Sequence, residues 1–386
     1  MQSSSEFATS LSVASEALRV RSGQALQKAV AGHRLDREEI LSLFSSELIE
    51  LGIAADLVCR RFHSGPVRTF VIDRTINYSN VCVTPCKFCA FWRPVRARDA
   101  YVRSHDEIFR RVQEAVDLGA TQILLQGGLH PDLPLEWYER LLSGIKQRFP
   151  VHLHSFSPPE IVHFSKLFGL SIEGVLARLR SAGLDSVAGG GAEILVDSVR
   201  RKLNAHLKAT TAEWLEVMKT AHRIGMPATA TMMFGHVETL EDRVEHLLVL
   251  RRAQDETGGL PEPACSLAGQ GFTAFIPWTY QPENTVLGGE ETGAFDYLRT
   301  LAISRLALDN FKNIQCSWLT QGPKIGQVGL RFGANDIGGT TIEENVVTAA
   351  GVRFRSMPAD ELAHLIRQAG FEPAQRDTYY RILRKF

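Results

Sequence analysis

Residues 69–89 read TFVIDRTINYSNVCVTPCKFC. The first eight, TFVIDRTI, form a β-branched and aromatic run of strand length. A polar turn follows, and then three of the chain's six cysteines fall within eight residues. The run is the first of eight strand signals. The others lie at 121–127, 151–157, 184–194, 227–235, 272–280, 314–320 and 335–341. Amphipathic helical segments separate them, as in HDEIFRRVQEAVDLG (105–119), SIEGVLARLRSAG (171–183) and TAEWLEVMKTAHRIG (211–225). Strands alternating with helices build parallel βαβ units. Eight of them predict an α/β protein with a (β/α)8 TIM-type barrel. The competing architecture is an open doubly wound sheet, but no Gly-x-Gly-x-x-Gly follows the first strand.

Residues 1–66 are expected to form an N-terminal helical extension. In it LDREEILSLFSSELIELG has an acidic first turn, helical periodicity and a stop at Gly52. Residues 67–386 form the barrel domain, closed by a C-terminal helix, ADELAHLIRQAG (359–370). GLPEPACSLAGQG (259–271) is read as a surface loop.

The 386 residues are 44% hydrophobic, enough for a large core. Lys plus Arg and Asp plus Glu each number 43. That balance gives no electrostatic reason to expect nucleic acid as a partner. No apolar run is long enough to span a membrane, and no secretory signal is seen. Cys59, Cys265 and Cys316 are scattered, so a disulfide framework is not expected. The expected compartment is the cytoplasm.

Barrel active sites lie at the C-terminal ends of the strands. Here those ends carry Asn77, Asn80, Gln126, His154, Ser155, Glu193, Thr231, His236, Gln281, Gln321, Lys324, Asn335 and Asp336. Cys82, Cys86 and Cys89, spaced C-x3-C-x2-C, fall just after the first strand. Thiolates are soft ligands that suit zinc or iron–sulfur clusters. A zinc site would need a fourth ligand, with Cys59 or Cys316 as remote candidates. A cubane held by three thiolates would leave one iron open to chelate a small molecule. His152 and His154 share a strand face. They are candidates to touch substrate or take a proton, with a satisfied core histidine as the plainer alternative. Gly189–Gly191 imply a close approach to the backbone. Glu193 follows them as an acceptor or a surface acid. Met232 and Met233 read as core.

The triplet, with Phe88 before its last cysteine, resembles the motif of the radical S-adenosylmethionine enzymes. The resemblance implies a [4Fe-4S] cluster on Cys82, Cys86 and Cys89, with S-adenosyl-L-methionine on the open iron. It implies cleavage to a 5′-deoxyadenosyl radical. Gln126, Gly127 and Gly128 would present backbone to the methionine ammonium. Phe88 would lie beside the adenine, and Ser155, Gly190 and Glu193 would complete the cofactor site. From about residue 36 onward, segments such as QGGLHPDLPLEWY, FTAFIPWTYQPENT and SWLTQGPKIGQVGLRFGANDIGG are similar to the dehypoxanthine futalosine cyclases of menaquinone synthesis. That similarity implies a small-molecule substrate, dehypoxanthine futalosine. It implies hydrogen abstraction at C4′ of the sugar, closure of a spiro ring on the benzoate, and a flavodoxin or ferredoxin as electron donor. His154 and His236 become candidates for substrate contact or proton transfer. Lys324 and Arg93 are candidates for anion contact. Ala188 stands where these cyclases commonly have Pro. The alternatives are an aminofutalosine synthase and a non-enzymatic iron–sulfur or zinc protein.

Overall fold

The structure is a computed structural model that describes residues 20–257 and 271–386. The loop expected at 259–271, with Cys265, lies outside the described residues apart from Gly271, and so does the start of the N-terminal extension. The described residues form ten strands: β1 (Val67–Val71), β2 (Asp73–Asn77), β3 (Gln122–Gln126), β4 (His152–Ser155), β5 (Ser186–Val187), β6 (Ala228–Phe234), β7 (Phe272–Thr279), β8 (Asp336–Gly339), β9 (Glu372–Arg376) and β10 (Ile382–Lys385).

β2 to β7 pair side by side in chain order, all parallel. Ile314 and Gln315 bridge β7 to β8, and β8 pairs with β1. β1 continues into β2 through Ile72, so the sheet curls round on itself as a barrel requires. The expected first strand is thus one run in two parts. Its break comes from the Thr340 hydroxyl, which accepts the Asp73 N–H at 3.1 Å and donates to the Asp73 carbonyl at 3.1 Å. The ladder resumes above it, with Ile342 N–H on the Asp73 carbonyl at 3.2 Å.

The seventh strand is shorter than 314–320. Only Ile314 and Gln315 pair, and Trp318–Gln321 is helical. The cause lies in contacts from other segments: Cys316 Sγ donates to the Gly326 carbonyl at 3.1 Å, and Ser317 N–H is taken by the Tyr297 hydroxyl at 2.5 Å. Gly52 does not stop a helix. It is buried within helix Leu48–Phe62, where a Cβ would sit 2.9 Å from the Phe332 ring. That helix packs on helix Ala294–Ala307 of the barrel. Helix Pro158–Phe168 was not expected. Its start is a capping box, Ser157-Pro-Pro-Glu160, with prolines in the first turn, where they are tolerated.

The chain does not close with helix Ala359–Gln368. A hairpin, β9–β10, follows, and β9 adds in parallel to the start of β1. It underlies the barrel, and Arg376 reaches up to grip buried Asp336 at 2.5 and 3.0 Å. Thr69 Oγ1 donates to the same carboxylate at 2.6 Å. Among the described residues, no helix is long and apolar enough to cross a membrane.

Candidate active site

The cysteine loop leaves the end of β2 as a folded strap. Ser79 bridges to Val102 and Val81 to Arg93. Asn80 accepts Tyr101 N–H at 2.8 Å and donates to the Asp99 carbonyl at 2.9 Å. Arg93 ties the turn after the last cysteine. Its guanidinium donates to the carbonyls of Ala90, Phe91 and Trp92 and pairs with Asp99 at 2.6 Å. It therefore supports the loop and is not a free anion contact. The loop is also held from across the barrel mouth: Lys87 N–H donates to the Leu203 carbonyl, and Leu287 N–H to the Lys87 carbonyl.

Cys86 is buried, and Cys82 and Cys89 are half-buried. Burial pushes the Cys86 thiol up to about 12, opposed by the Lys208 cation. Burial also raises Cys89. The three thiols lie within electrostatic range of one another, since Cys82 and Cys89 raise Cys86 further. Among the described residues, no three His, Cys, Asp or Glu side chains are arranged to hold a single metal ion. A tetrahedral zinc needs every thiolate at about 2.3 Å. Neither proposed remote ligand joins them. Cys316 is spent on carbonyls near β8, and Cys59 is buried in helix Leu48–Phe62. Three soft thiol donors on one loop, with Cys59 and Cys316 placed elsewhere, fit an iron–sulfur cluster held by three thiolates.

Gly128 locks the loop to β3. A Cβ there would fall 2.1 Å from the Val81 carbonyl oxygen and 2.8 Å from Cys82 Cβ. At Gly127 the N–H donates to Glu160 Oε1 at 3.2 Å. Glu160 also takes the Tyr78 hydroxyl at 2.5 Å and the Ser157 N–H and hydroxyl at 2.7 and 2.6 Å. Sequence reasoning missed this buried carboxylate. The S-x-x-E pattern was the available signal.

The triple glycine is crowded by the protein itself. A Cβ on Gly189 would meet the Thr229 carbonyl at 2.5 Å, on Gly190 the Gln126 amide at 2.7 Å, and on Gly191 Pro159 at 2.3 Å. Glu193 is not a surface acid. It is buried, holds φ at 43°, and pairs with Lys208 at 2.8 Å and Arg200 at 3.6 Å. Its Oε2 has no hydrogen-bond partner. Lys208 also lies 5.1 Å from the centre of the Phe88 ring, so one cation joins the cysteine loop to Glu193. Neither Lys208 nor Arg200 stood out in the sequence.

A cavity of about 300 Å³ fills the barrel, with Gln126, His154, Gly190 and Thr231 on its wall. Arg376 and Tyr380 lie beneath it. A hollow of about 380 Å³ at the opposite strand ends, by His63 and Lys312, lies away from the thiols. His154 is neutral: burial pushes it down to about 3, and its nitrogens bond Ser186 at 2.7 Å and Thr229 at 3.1 Å. Ser155 is turned to the Leu125 N–H of β3 at 3.3 Å. His236 lies off the cavity wall, between the Met233 carbonyl at 3.0 Å and Glu238 at 2.9 Å. Lys324 is exposed.

The barrel and the three-thiol loop at its mouth define an enzyme class, and comparison with known proteins agrees. Residues 76–250 match the Radical SAM superfamily model, and residues 269–385 match the CofH/MqnC C-terminal region. The chain belongs to the radical S-adenosylmethionine superfamily, in the branch that carries this C-terminal region. It is 44% identical to the cyclic dehypoxanthine futalosine synthase of Halalkalibacterium halodurans, over 94% of this chain and 95% of that one. It is 46% identical to the Streptomyces coelicolor protein of the same name, over 92% and 87%. It is also 44% identical to the 5-amino-6-(D-ribitylamino)uracil–L-tyrosine 4-hydroxyphenyl transferase of Archaeoglobus fulgidus, over 84% and 91%. Among solved structures, methylornithine synthase shares the fold at TM-score 0.68 and 18% identity, covering 91% of this chain and 97% of that one.

Proposed function

We propose that this radical S-adenosylmethionine enzyme is a cyclase that converts dehypoxanthine futalosine to its cyclic spiro product in menaquinone synthesis. The observation that carries the reading is where its telling segments lie. Ile276 and Trp278 of FIPWTYQPENT, and Leu319 and Thr320 of LTQGPKIGQ, line the cavity. Two stretches that favour the cyclase over its relatives therefore line the cavity a substrate would enter. Near-full-length similarity to two curated cyclases supports it.

Cys82, Cys86 and Cys89 would hold a [4Fe-4S] cluster. When bound, the cluster and S-adenosyl-L-methionine supply a 5′-deoxyadenosyl radical that takes hydrogen from C4′ of the substrate sugar. The chain's residues then do the positioning. Glu193, whose buried Oε2 makes no hydrogen bond and has only Arg200 at 3.6 Å, would accept from a hydroxyl or ammonium of the cofactor. Phe88 and Lys208 give the cofactor's base a flat, cation-backed face. Trp278 and Ile276 give the aromatic ring of the substrate an apolar wall. Enclosure in the barrel fixes the reacting carbons together and keeps out stray hydrogen donors. Neutral His154 lends a dipole and no charge. A flavodoxin or ferredoxin would deliver the electron.

The test is turnover on anaerobically reconstituted protein with S-adenosyl-L-methionine, a strong reductant and dehypoxanthine futalosine. The reading expects 5′-deoxyadenosine and a product two hydrogens lighter than substrate. It falls if normal cyclised product appears with Cys86→Ala. It also falls if 5-amino-6-(D-ribitylamino)uracil and tyrosine are coupled in place of cyclisation. The transferase is the second reading because that relative has the same 44% identity as one of the cyclases, over a shorter part of this chain. An aminofutalosine synthase would instead incorporate the adenosyl group into product.

A further inference from the structure

The cavity wall opposite the triple glycine carries two carboxylates that the foregoing chemistry leaves unused, Asp73 and Glu344. Glu344 sits on the strap 341–345, between β8 and helix Val346–Ala349. Its neighbours hold it in place. Glu343 turns outward into Arg74 at 2.8 Å and Arg111 at 2.7 Å. Asn345 Nδ2 donates to Asn77 Oδ1 at 3.2 Å, at the root of the cysteine loop. Glu344 between them faces inward. Its Oε1 is taken by the N–H groups of Val346 and Val347 at 2.7 and 3.3 Å. Its second oxygen is the one free to meet a ligand.

Asp73 Oδ1 accepts Thr341 N–H at 3.0 Å. Its carboxylate occupies space that exists because residue 339 is glycine, where a Cβ would fall 2.1 Å from Oδ1. Neither carboxylate has a salt bridge among the described residues. The cation that faces Asp73 is Arg376, which is bound to Asp336. The charges facing Glu344 are Asp73 and Glu343, both of its own sign. Two inward carboxylates without a counter-ion are costly. Each spends one oxygen on the strap's backbone, Glu344 on Val346 and Val347 and Asp73 on Thr341, and Glu343 and Asn345 anchor the same strap from its other side.

We infer that Glu344 and Asp73 form a hydroxyl-reading wall that accepts hydrogen bonds from a five-carbon polyol or sugar segment of the substrate and so positions that segment in the barrel. A carboxylate accepts from vicinal hydroxyls without needing a counter-charge, and such charge-assisted bonds are short and strong. Burial pushes Asp73 up to about 6 and Glu344 up to about 7. The wall is therefore a full acceptor only above neutrality, where both carboxyls are ionised.

The inference rests on the cyclase reading for its ligand, dehypoxanthine futalosine. It outlives that reading if the ligand is the ribityl compound, which also carries a five-carbon polyol. The test is equilibrium binding at pH 8 to reconstituted protein without reductant, so that nothing turns over. Wild type, Glu344→Gln and Asp73→Asn are titrated with dehypoxanthine futalosine, with a deoxy analogue lacking its ring diol, and with 5-amino-6-(D-ribitylamino)uracil. The expected result is about tenfold weaker binding of the intact ligand by either variant. The deoxy analogue should lose a similar factor on wild type and little more on the variants. That analogue reads the contact on unaltered protein, so a poorly folding variant does not blunt the test. If wild type binds only the ribityl ligand, and Glu344→Gln weakens it, the wall stands and the cyclase reading falls. Unchanged affinity in both variants, or strictly additive losses, overturns the wall. So does a wild type that binds neither polyol.

Discussion

Glu160 and Tyr78 meet through a 2.5 Å hydrogen bond in the buried seam between helix Pro158–Phe168 and the root of the cysteine loop. The same carboxylate caps its own helix and takes the Gly127 N–H. One side chain thus coordinates three elements that must agree if the thiols are to face the barrel mouth. Tyr78→Phe should cost about 1.5–3 kcal/mol, the worth of a hydrogen bond to a charged acceptor. Glu160→Ala should cost more, because it also strands the buried Ser157 donors and the half-buried Gly127 N–H. Urea unfolding of the two variants checks the order.

Gly128→Ala should separate cluster binding from folding. The added methyl collides with the Val81 carbonyl and with Cys82, so the loop rather than the barrel must move. Iron content and the visible iron–sulfur absorbance should fall severalfold, while far-ultraviolet dichroism stays native.

Lys208→Met removes the nearest partner of Glu193. Breaking a buried ion pair from one side costs about 3–5 kcal/mol. Arg200, at 3.6 Å, reduces the penalty here. The expected loss is about 2–3 kcal/mol, largely recovered in Lys208→Met/Glu193→Gln. A double variant no more stable than the single one would show that the pair is not what Lys208 supports.

Arg376→Met should destabilise by about 3–5 kcal/mol by leaving Asp336 buried and unpaired. Asp336→Asn in the same chain should restore part of that. A double-mutant cycle in urea measures the coupling, and near-additivity would contradict the bidentate pairing described here.

Asp73 and Glu344 predict a particular pH dependence. Both hold their protons more tightly folded than unfolded, where carboxyls titrate at about 4. Between about pH 4.5 and 7 the native state therefore binds more protons than the unfolded one. These two groups favour folding on the acid side of that window, and the benefit is lost as pH rises through it. Glu344→Gln should flatten the slope and stabilise the protein at pH 8 by on the order of 1–2 kcal/mol. An unaltered slope would show that Glu344 is solvated.

The alternation of strands and helices was legible because each element carries its own period, and the cysteine triplet because its spacing is local. The seventh strand was overread. IQCSWLT has strand composition, but the Tyr297 and Gly326 contacts that end it come from elsewhere in the chain. Helix Pro158–Phe168 was passed over between the strand at 151–157 and the helix at 171–183, although prolines in a first turn after Ser157 are a helix-start signal. β9 and β10 were missed because EPAQR is polar, and its pairing with β1 is visible only in three dimensions. The cavity residues divide the same way. Gln126 and His154 end strands that periodicity locates. Glu344 lies on a strap whose direction depends on arginines more than two hundred positions earlier.

The pairing of β9 with β1 also bears on how the protein is made. During synthesis β1 emerges early, with its backbone donors and acceptors bare until Glu372–Arg376 have left the ribosome about 300 codons later. An unpaired edge held open that long invites intermolecular strand addition. The nascent barrel should therefore lean on holding chaperones more than its finished stability would suggest, and slowing translation ahead of the hairpin should lower soluble yield without touching a single native contact.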